Sequence, residues 1–301
     1  MRTCVILNPA AGRGGTRDAV RVALAELPDS ELRVSPDPRA VSGLVASAVS
    51  DGYRRIAAAG GDGTVSEVAT TLRALAAGDL QLECGVIPVG TGNDLSLTLG
   101  IPPEISGAIR LLRTGRARAV DAIRCGRESR GPLRSVERCA WNAIVGGFGG
   151  GVSDHLTSDR KRRWRRFAYL RAAVSELRRM APHRLRLEID GHPMDLELLM
   201  LVIANGSHAG GGLPLAPGSV ADDGALDVVG IRPASPARLA MLVPRVLAGR
   251  HLSDPRVFHA RCRALRVEAD EGFRYNRDGE SWGAGGAEFE LQPGALPFVR
   301  P

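Results

Sequence analysis

Hydrophobic and polar positions divide this chain into two halves with different periods. In the first 120 or so residues, short apolar runs alternate with stretches of helical spacing. Cys4–Leu7, Leu32–Val34, Arg55–Ala59 and Cys84–Val89 have strand length. Thr16–Leu27, Ala40–Ser50, Val65–Ala76 and a segment from about Leu95 read as helices. Strands alternating with helices predict a mainly parallel sheet covered on both faces. After Val120-Asp121 the pattern changes. Arg124–Val145, Arg184–Ile189, Asp195–Ala204, Ala225–Gly230, Ala264–Ala269 and Phe289–Leu291 are short runs separated by turns. They predict an antiparallel sandwich, interrupted by helical segments near Lys161–Met180 and Pro236–Leu247. The expected fold class is α/β plus mainly-β: a doubly wound N-terminal domain over residues 1–121 and a C-terminal antiparallel β-sandwich over 122–291.

Three loops follow the C-terminal ends of predicted strands: Asn8-Pro9-Ala10-Ala11-Gly12, Gly60-Gly61-Asp62-Gly63-Thr64 and Gly90-Thr91-Gly92-Asn93-Asp94. In an open parallel sheet those ends border the ligand crevice. Glycines between strand and helix let the backbone approach a bulky anion, and the helix N-terminus offers free N–H groups. One such turn is as readily a capped loop as a phosphate site; three on one edge point to phosphate. Asp62 is costly there unless it holds a metal ion or takes a proton. No Gly-x-x-x-x-Gly-Lys-Ser/Thr is present, and no Gly-x-Gly-x-x-Gly follows the first strand, so a P-loop is excluded and an ordinary dinucleotide fold disfavoured.

Composition narrows the classes further. The 301 residues are 44% hydrophobic without a low-complexity tract, enough for two buried cores. No apolar run reaches about 18 residues, so no membrane-spanning helix is expected. The apolar part of the N-terminus is too short for a signal peptide. Five scattered cysteines (Cys4, Cys84, Cys125, Cys139, Cys262) form no Cys-x-x-Cys pair, which disfavours zinc and disulfides and fits a reducing cytoplasm. The net charge of +7 allows anionic partners. With aromatics at 4%, nucleic acid is disfavoured.

Taken together, Asn8-Pro9…Gly12, the Gly60–Thr64 turn with Glu67, and Gly90–Asp94 resemble the diacylglycerol kinase catalytic-domain family, which includes soluble bacterial lipid kinases and the sphingosine and ceramide kinases. The resemblance continues through Asn142…Gly146, Asn205-Gly206, Gly210–Gly212, Asp222-Asp223-Gly224-Ala225-Leu226-Asp227, Asp278-Gly279-Glu280 and the closing Pro293-Gly294-Ala295-Leu296. It covers nearly the whole chain in order, although the Gly60–Thr64 motif alone is shared with NAD kinases. It implies that residues 292–301 return to the first domain and that the second domain binds lipid.

The resemblance further implies transfer of the γ-phosphoryl group of ATP to a lipid hydroxyl, with ATP and Mg²⁺ required. Asn8, Pro9, Gly12, Ser35, Gly60, Gly61, Asp62, Gly63, Thr64, Glu67, Thr91 and Asn93 are expected to cradle the nucleotide phosphates and their Mg²⁺. Asp278 is the preferred general base, supported by Glu280, with Asp62 the other candidate. Read alone, Asp278-Gly279 is a hairpin turn signal. Asp223, helped by the carbonyls of Val220 and Ala225, corresponds to a structural Mg²⁺ site, and a solvated acidic turn is the alternative. Diacylglycerol is the leading substrate; a sphingoid base, a phosphatidylglycerol-like lipid, or a non-catalytic nucleotide sensor are the alternatives.

Arg160–Tyr169 is the densest basic cluster and mixes cations with Trp164, Phe167 and Tyr169. Such a stretch either docks on an anionic membrane surface or forms a solvated helix face with its aromatics in the core. The first reading places the protein in the cytoplasm, peripheral at the inner membrane surface. A homodimer is compatible with the sequence. The six histidines share no metal-like spacing.

Overall fold

The computed structural model describes residues 2–12, 15–76, 81–127, 139–147 and 181–301. The expected Lys161–Met180 helix and the basic stretch 160–169 lie outside these residues. In the N-terminal half, β1 (Thr3–Leu7), β3 (Arg55–Gly60) and β4 (Glu83–Pro88) are almost completely buried, and β2 (Ser30–Val34) flanks them. They pair in parallel in the order β2-β1-β3-β4. Strands buried on both faces read as unbroken apolar runs, which is why the sequence showed them. Helices α1 (Thr16–Ala23) and α5 (Ile105–Thr114) pack together, as do α2 (Val41–Ser50) and α3 (Asp62–Leu75). The expected helix from Leu95 is two pieces, α4 (Asp94–Thr98) and α5, with Pro102-Pro103 between them. A proline removes a helical donor and clashes with the preceding turn.

The second half is an antiparallel sandwich, as expected. One sheet has the order β12-β11-β10-β7-β14-β15, built from Val257–Cys262, Leu226–Ile231, Met200–Ala204, Ala143–Gly146, Arg274–Arg277 and Glu280–Ala284. The facing layer contains β8 (His183–Ile189), β9 (His192–Leu198) and β13 (Ala264–Glu268). Alternation along β10 divides its side chains between two cores. Leu201 and Ile203 join the inter-sheet core with Leu187, Val267 and Phe289. Met200 and Val202 face outward, where Leu239 and Leu242 of α6 (Pro236–Leu247) cover them.

Two long strands run through both halves. β5 (Arg116–Arg127) and β16 (Ala287–Arg300) are antiparallel partners from Arg116↔Arg300 to Arg127↔Ala287, and β16 also pairs with β4 at Phe298↔Cys84. The two-residue β6 (Cys139–Ala140) adds to β5. The expected boundary at residue 121 therefore falls inside a strand. Phe289–Leu291 is likewise part of a 14-residue strand. Pro293-Gly294 does not end it but is absorbed as an irregularity between Gln292 and Leu296, with Gly294 at φ 60°.

Candidate active site

The three loops meet at the carboxyl ends of β1, β3 and β4. Order reverses between β1 and β3, the position where open α/β sheets place their crevice. Asn8 ties the first loop to the second: its Nδ2 donates to Thr64 Oγ1 at 3.1 Å, and its Oδ1 accepts from the Ala10 N–H at 3.0 Å. Gly61 is the N-cap of α3 and supplies no side-chain cap. The first N–H groups of α3 consequently face the crevice with the positive end of the helix dipole. The second and third loops touch backbone to backbone. A β-carbon built on Gly90 would lie 2.4 Å from Gly61 Cα, and one on Gly60 would lie 2.4 Å from Thr64 Cβ. Only glycine permits either approach.

Four carboxylates surround these loops and hold different positions. Asp62 opens α3; its Oδ1 accepts the Leu95 N–H at 3.3 Å. Burial, then the neighbouring Asp94 charge, then Asp278, push its pKa up to about 6 against the Leu95 hydrogen bond. Asp94 is buried and fastens the glycine loop of the second domain, accepting from Gly211 N–H at 3.0 Å and Gly212 N–H at 2.5 Å. Glu280 is exposed at the start of β15, and a β-carbon on Gly63 would lie 2.9 Å from its Oε1. Its carboxylate thus stands over the N-terminal turn of α3.

Asp278, the expected base, is buried and held by hydrogen bonds on both oxygens. It is 8% exposed. Oδ1 accepts the N–H groups of Asn142 (3.0 Å) and Ala143 (3.1 Å); Oδ2 accepts the Trp141 N–H (2.8 Å) and the Ser66 hydroxyl (3.1 Å). Two donors on each oxygen fill a carboxylate's acceptor positions. Burial raises its pKa, and the Trp141, Ala143 and Asn142 N–H groups and Ser66 oppose that shift. Asp278 and Gly279 both have positive φ (46° and 91°), the geometry of a two-residue hairpin turn between β14 and β15. The hairpin turn is therefore present, and the Asp278 side chain joins α3 to the start of β7.

Other expected contacts divide in the same way. Thr91 is exposed beside the crevice, and Gly12, Gly61 and Gly63 border it. Pro9, in the first loop, and Glu67, in α3, are exposed. Asn93 turns its amide onto its own loop, with Oδ1 accepting Gly90 N–H (3.1 Å) and Nδ2 donating to Gly90 O (2.8 Å). Ser35 is 1% exposed and donates its hydroxyl to Asp37 O at 2.5 Å, so that oxygen is engaged in holding its turn. The expected site at Val220, Asp223 and Ala225 requires correction. Asp223 Oδ2 is ion-paired with Arg261, its Oδ1 accepts the Ala225 N–H at 3.1 Å, and the Val220 carbonyl accepts the Asp223 N–H at 3.3 Å. A hard dication needs six or more oxygens; here a guanidinium already balances the acid, so these residues do not fit one.

Sequence reasoning did not show what the connecting side chains bind. Asp121 accepts the Gly294 N–H (2.7 Å) and the Gly224 N–H (3.0 Å). Asn142 donates to His208 O at 2.7 Å and accepts from Thr98 Oγ1 at 3.3 Å. With Asp94 and Asp278, they attach loops of one half to strands and helices of the other. Asp121 lies inside β5 and Asn142 between β6 and β7, and neither carries a local sign of its partners.

The diacylglycerol kinase catalytic domain matches residues 2–125, and the YegS C-terminal NAD kinase beta sandwich-like domain matches residues 143–300. A "Probable lipid kinase YegS-like" of Pseudomonas putida is 31% identical over 96% of this chain and 93% of its own length. One of Pseudomonas fluorescens is 33% identical over 95% and 90%. Among solved structures, a putative diacylglycerol kinase from Bacillus anthracis superposes with a TM-score of 0.79 at 22% identity, covering 100% of this chain and 95% of that one. Yeast NADH kinase gives 0.57 at 14% identity, covering 100% and 84%, and shares the fold. The chain belongs to the diacylglycerol kinase catalytic-domain family and, within it, is a lipid kinase of the YegS type.

Proposed function

We propose that the protein transfers the γ-phosphoryl group of ATP to the free hydroxyl of diacylglycerol, giving phosphatidic acid. One observation carries this reading: the Glu280 carboxylate stands over Gly63 at the uncapped N-terminus of α3. A proton acceptor and an anion-binding helix end then face the same point.

The first N–H groups of α3, Thr64 and Thr91 bind the nucleotide phosphates, and Asn8 holds Thr64 in place. Asp62 fits Mg²⁺. Burial with two neighbouring carboxylates makes a cation welcome there. Mg²⁺ is commonly held by one or two carboxylates plus substrate phosphates. When bound, ATP supplies the phosphoryl group and Mg²⁺ neutralises its charge. Glu280 takes the proton of the lipid hydroxyl as the new O–P bond forms and ADP departs with its bridging oxygen. Asp278, with every acceptor position filled, holds β7 and α3 together beneath that reaction. Among the described residues no helix is long and apolar enough to cross a membrane. The basic stretch 160–169 supports docking on the anionic cytoplasmic leaflet.

Radiolabelled ATP mixed with vesicles containing diacylglycerol should label phosphatidic acid. A total lipid extract in which another lipid is labelled would change the substrate, and nucleotide binding with no labelled lipid would mark a sensor. Glu280→Gln should lower turnover by roughly 10²–10⁴-fold while nucleotide affinity stays near that of the parent. Full activity in this variant would refute the assignment of the base.

A further inference from the structure

Residues 219–227 carry three acids, and each meets a basic side chain of β12 or β16. Asp222 pairs with Arg300 of β16, Asp223 with Arg261 of β12, and Asp227 Oδ1 lies 2.7 Å from His259 Nε2, also of β12. Ser219 Oγ donates to the other Asp227 oxygen at 2.7 Å. The backbone is fastened too, with Asp121 N–H donating to Ala221 O at 2.7 Å and Gly224 N–H donating to Asp121 Oδ2. Arg261 is directly opposite Asp227 in the β11–β12 pairing, and its Nε lies 3.9 Å from Asp227 Oδ1. One guanidinium therefore spans both ends of the loop's acidic segment.

We infer that Arg261 takes the place of a structural divalent cation, so that this loop is held by the chain's own charge and its shape is independent of Mg²⁺. The guanidinium is always protonated, presents several donors in a fixed plane, and suits bridging two carboxylates. A dication beside Asp223 would be repelled by it and would compete with a donor on each Asp223 oxygen. Asp223 and Arg261 are accessible enough for exchange with solvent, at 28% and 51% side-chain exposure. The loop's order is then expected to respond to salt rather than to chelators.

Thermal melts of the full chain test this in an Asp62→Asn background, which removes the crevice's cation ligand. The Tm of this protein should be the same in EDTA and in millimolar MgCl₂. Arg261→Gln on that background uncovers Asp223 and should melt lower in EDTA. MgCl₂ at about ten times its dissociation constant should then raise its Tm by roughly 2–4 °C, and adding Asp223→Asn should abolish that rise. A magnesium response already present with Arg261 intact and lost on Asp223→Asn would overturn the inference. So would an Arg261→Gln protein that responds no more than its parent.

Discussion

Asp62→Asn separates binding from stability at one atom. In the nucleotide-free protein the Asp62 carboxyl titrates at about 6 against an ordinary 3.8, chiefly because it is buried beside Asp94. The folded state thus holds this proton more tightly than the unfolded state. At a pH below about 4 the group is protonated in both states and contributes nothing either way. As pH rises through 6, ionisation costs the folded state up to about 3 kcal/mol. Asparagine keeps the shape and the Oδ1 acceptor for the Leu95 N–H but carries no charge. The variant should accordingly be more stable than the parent at pH 7.5, by up to about 3 kcal/mol, with the advantage vanishing near pH 4. Urea denaturation at pH 7.5 and pH 4.5 measures this, with m unchanged and the midpoint shifted. The same variant should lose most of its affinity for Mg²⁺–nucleotide. A variant less stable at pH 7.5, or one whose advantage is equal at both pH values, would refute the argument.

Asp278→Ala leaves three buried N–H groups and the Ser66 hydroxyl without their acceptor; a loss of about 3–5 kcal/mol is expected in chemical denaturation, and a loss under 1 kcal/mol would show that Asp278 does not hold the halves together. Replacing Arg162, Arg163, Arg165 and Arg166 with Gln should weaken sedimentation with anionic vesicles, each charge contributing about 1 kcal/mol, and the parent's binding should fall as salt rises; unchanged binding would assign the stretch a structural role.

The parts of the fold written locally were legible in the sequence. β1, β3 and β4 show as apolar runs because both faces are buried, and α6 shows because Pro236 starts it and its core-facing residues recur at helical spacing. The Gly60–Thr64 and Gly90–Asp94 loops are likewise local, since close backbone approach requires glycine where it occurs. What depends on distant partners was not legible. Asp278 carries no mark that its oxygens meet residues 141–143, over 130 positions away. Asp223 looks like a cation ligand until β11 and β12 pair and bring Arg261 beside it. Pro293-Gly294 reads as a stop because turn chemistry is local, whereas β5 continues alongside and carries the strand past it.

The β5–β16 ribbon has a mechanical consequence. Kinases built from two lobes on a flexible linker open and close like a jaw, each lobe folding by itself. Here the crevice walls share one hydrogen-bonded ribbon that runs from Arg116 to Arg127 and back from Ala287 to Arg300, with one irregularity between Gln292 and Leu296. Among the described residues, this ribbon ties the two halves where a flexible linker would let them swing apart. Access for a bulky lipid must come from loop movement, and a chain cut near residue 121 would yield two fragments that each lack a strand of their own sheet.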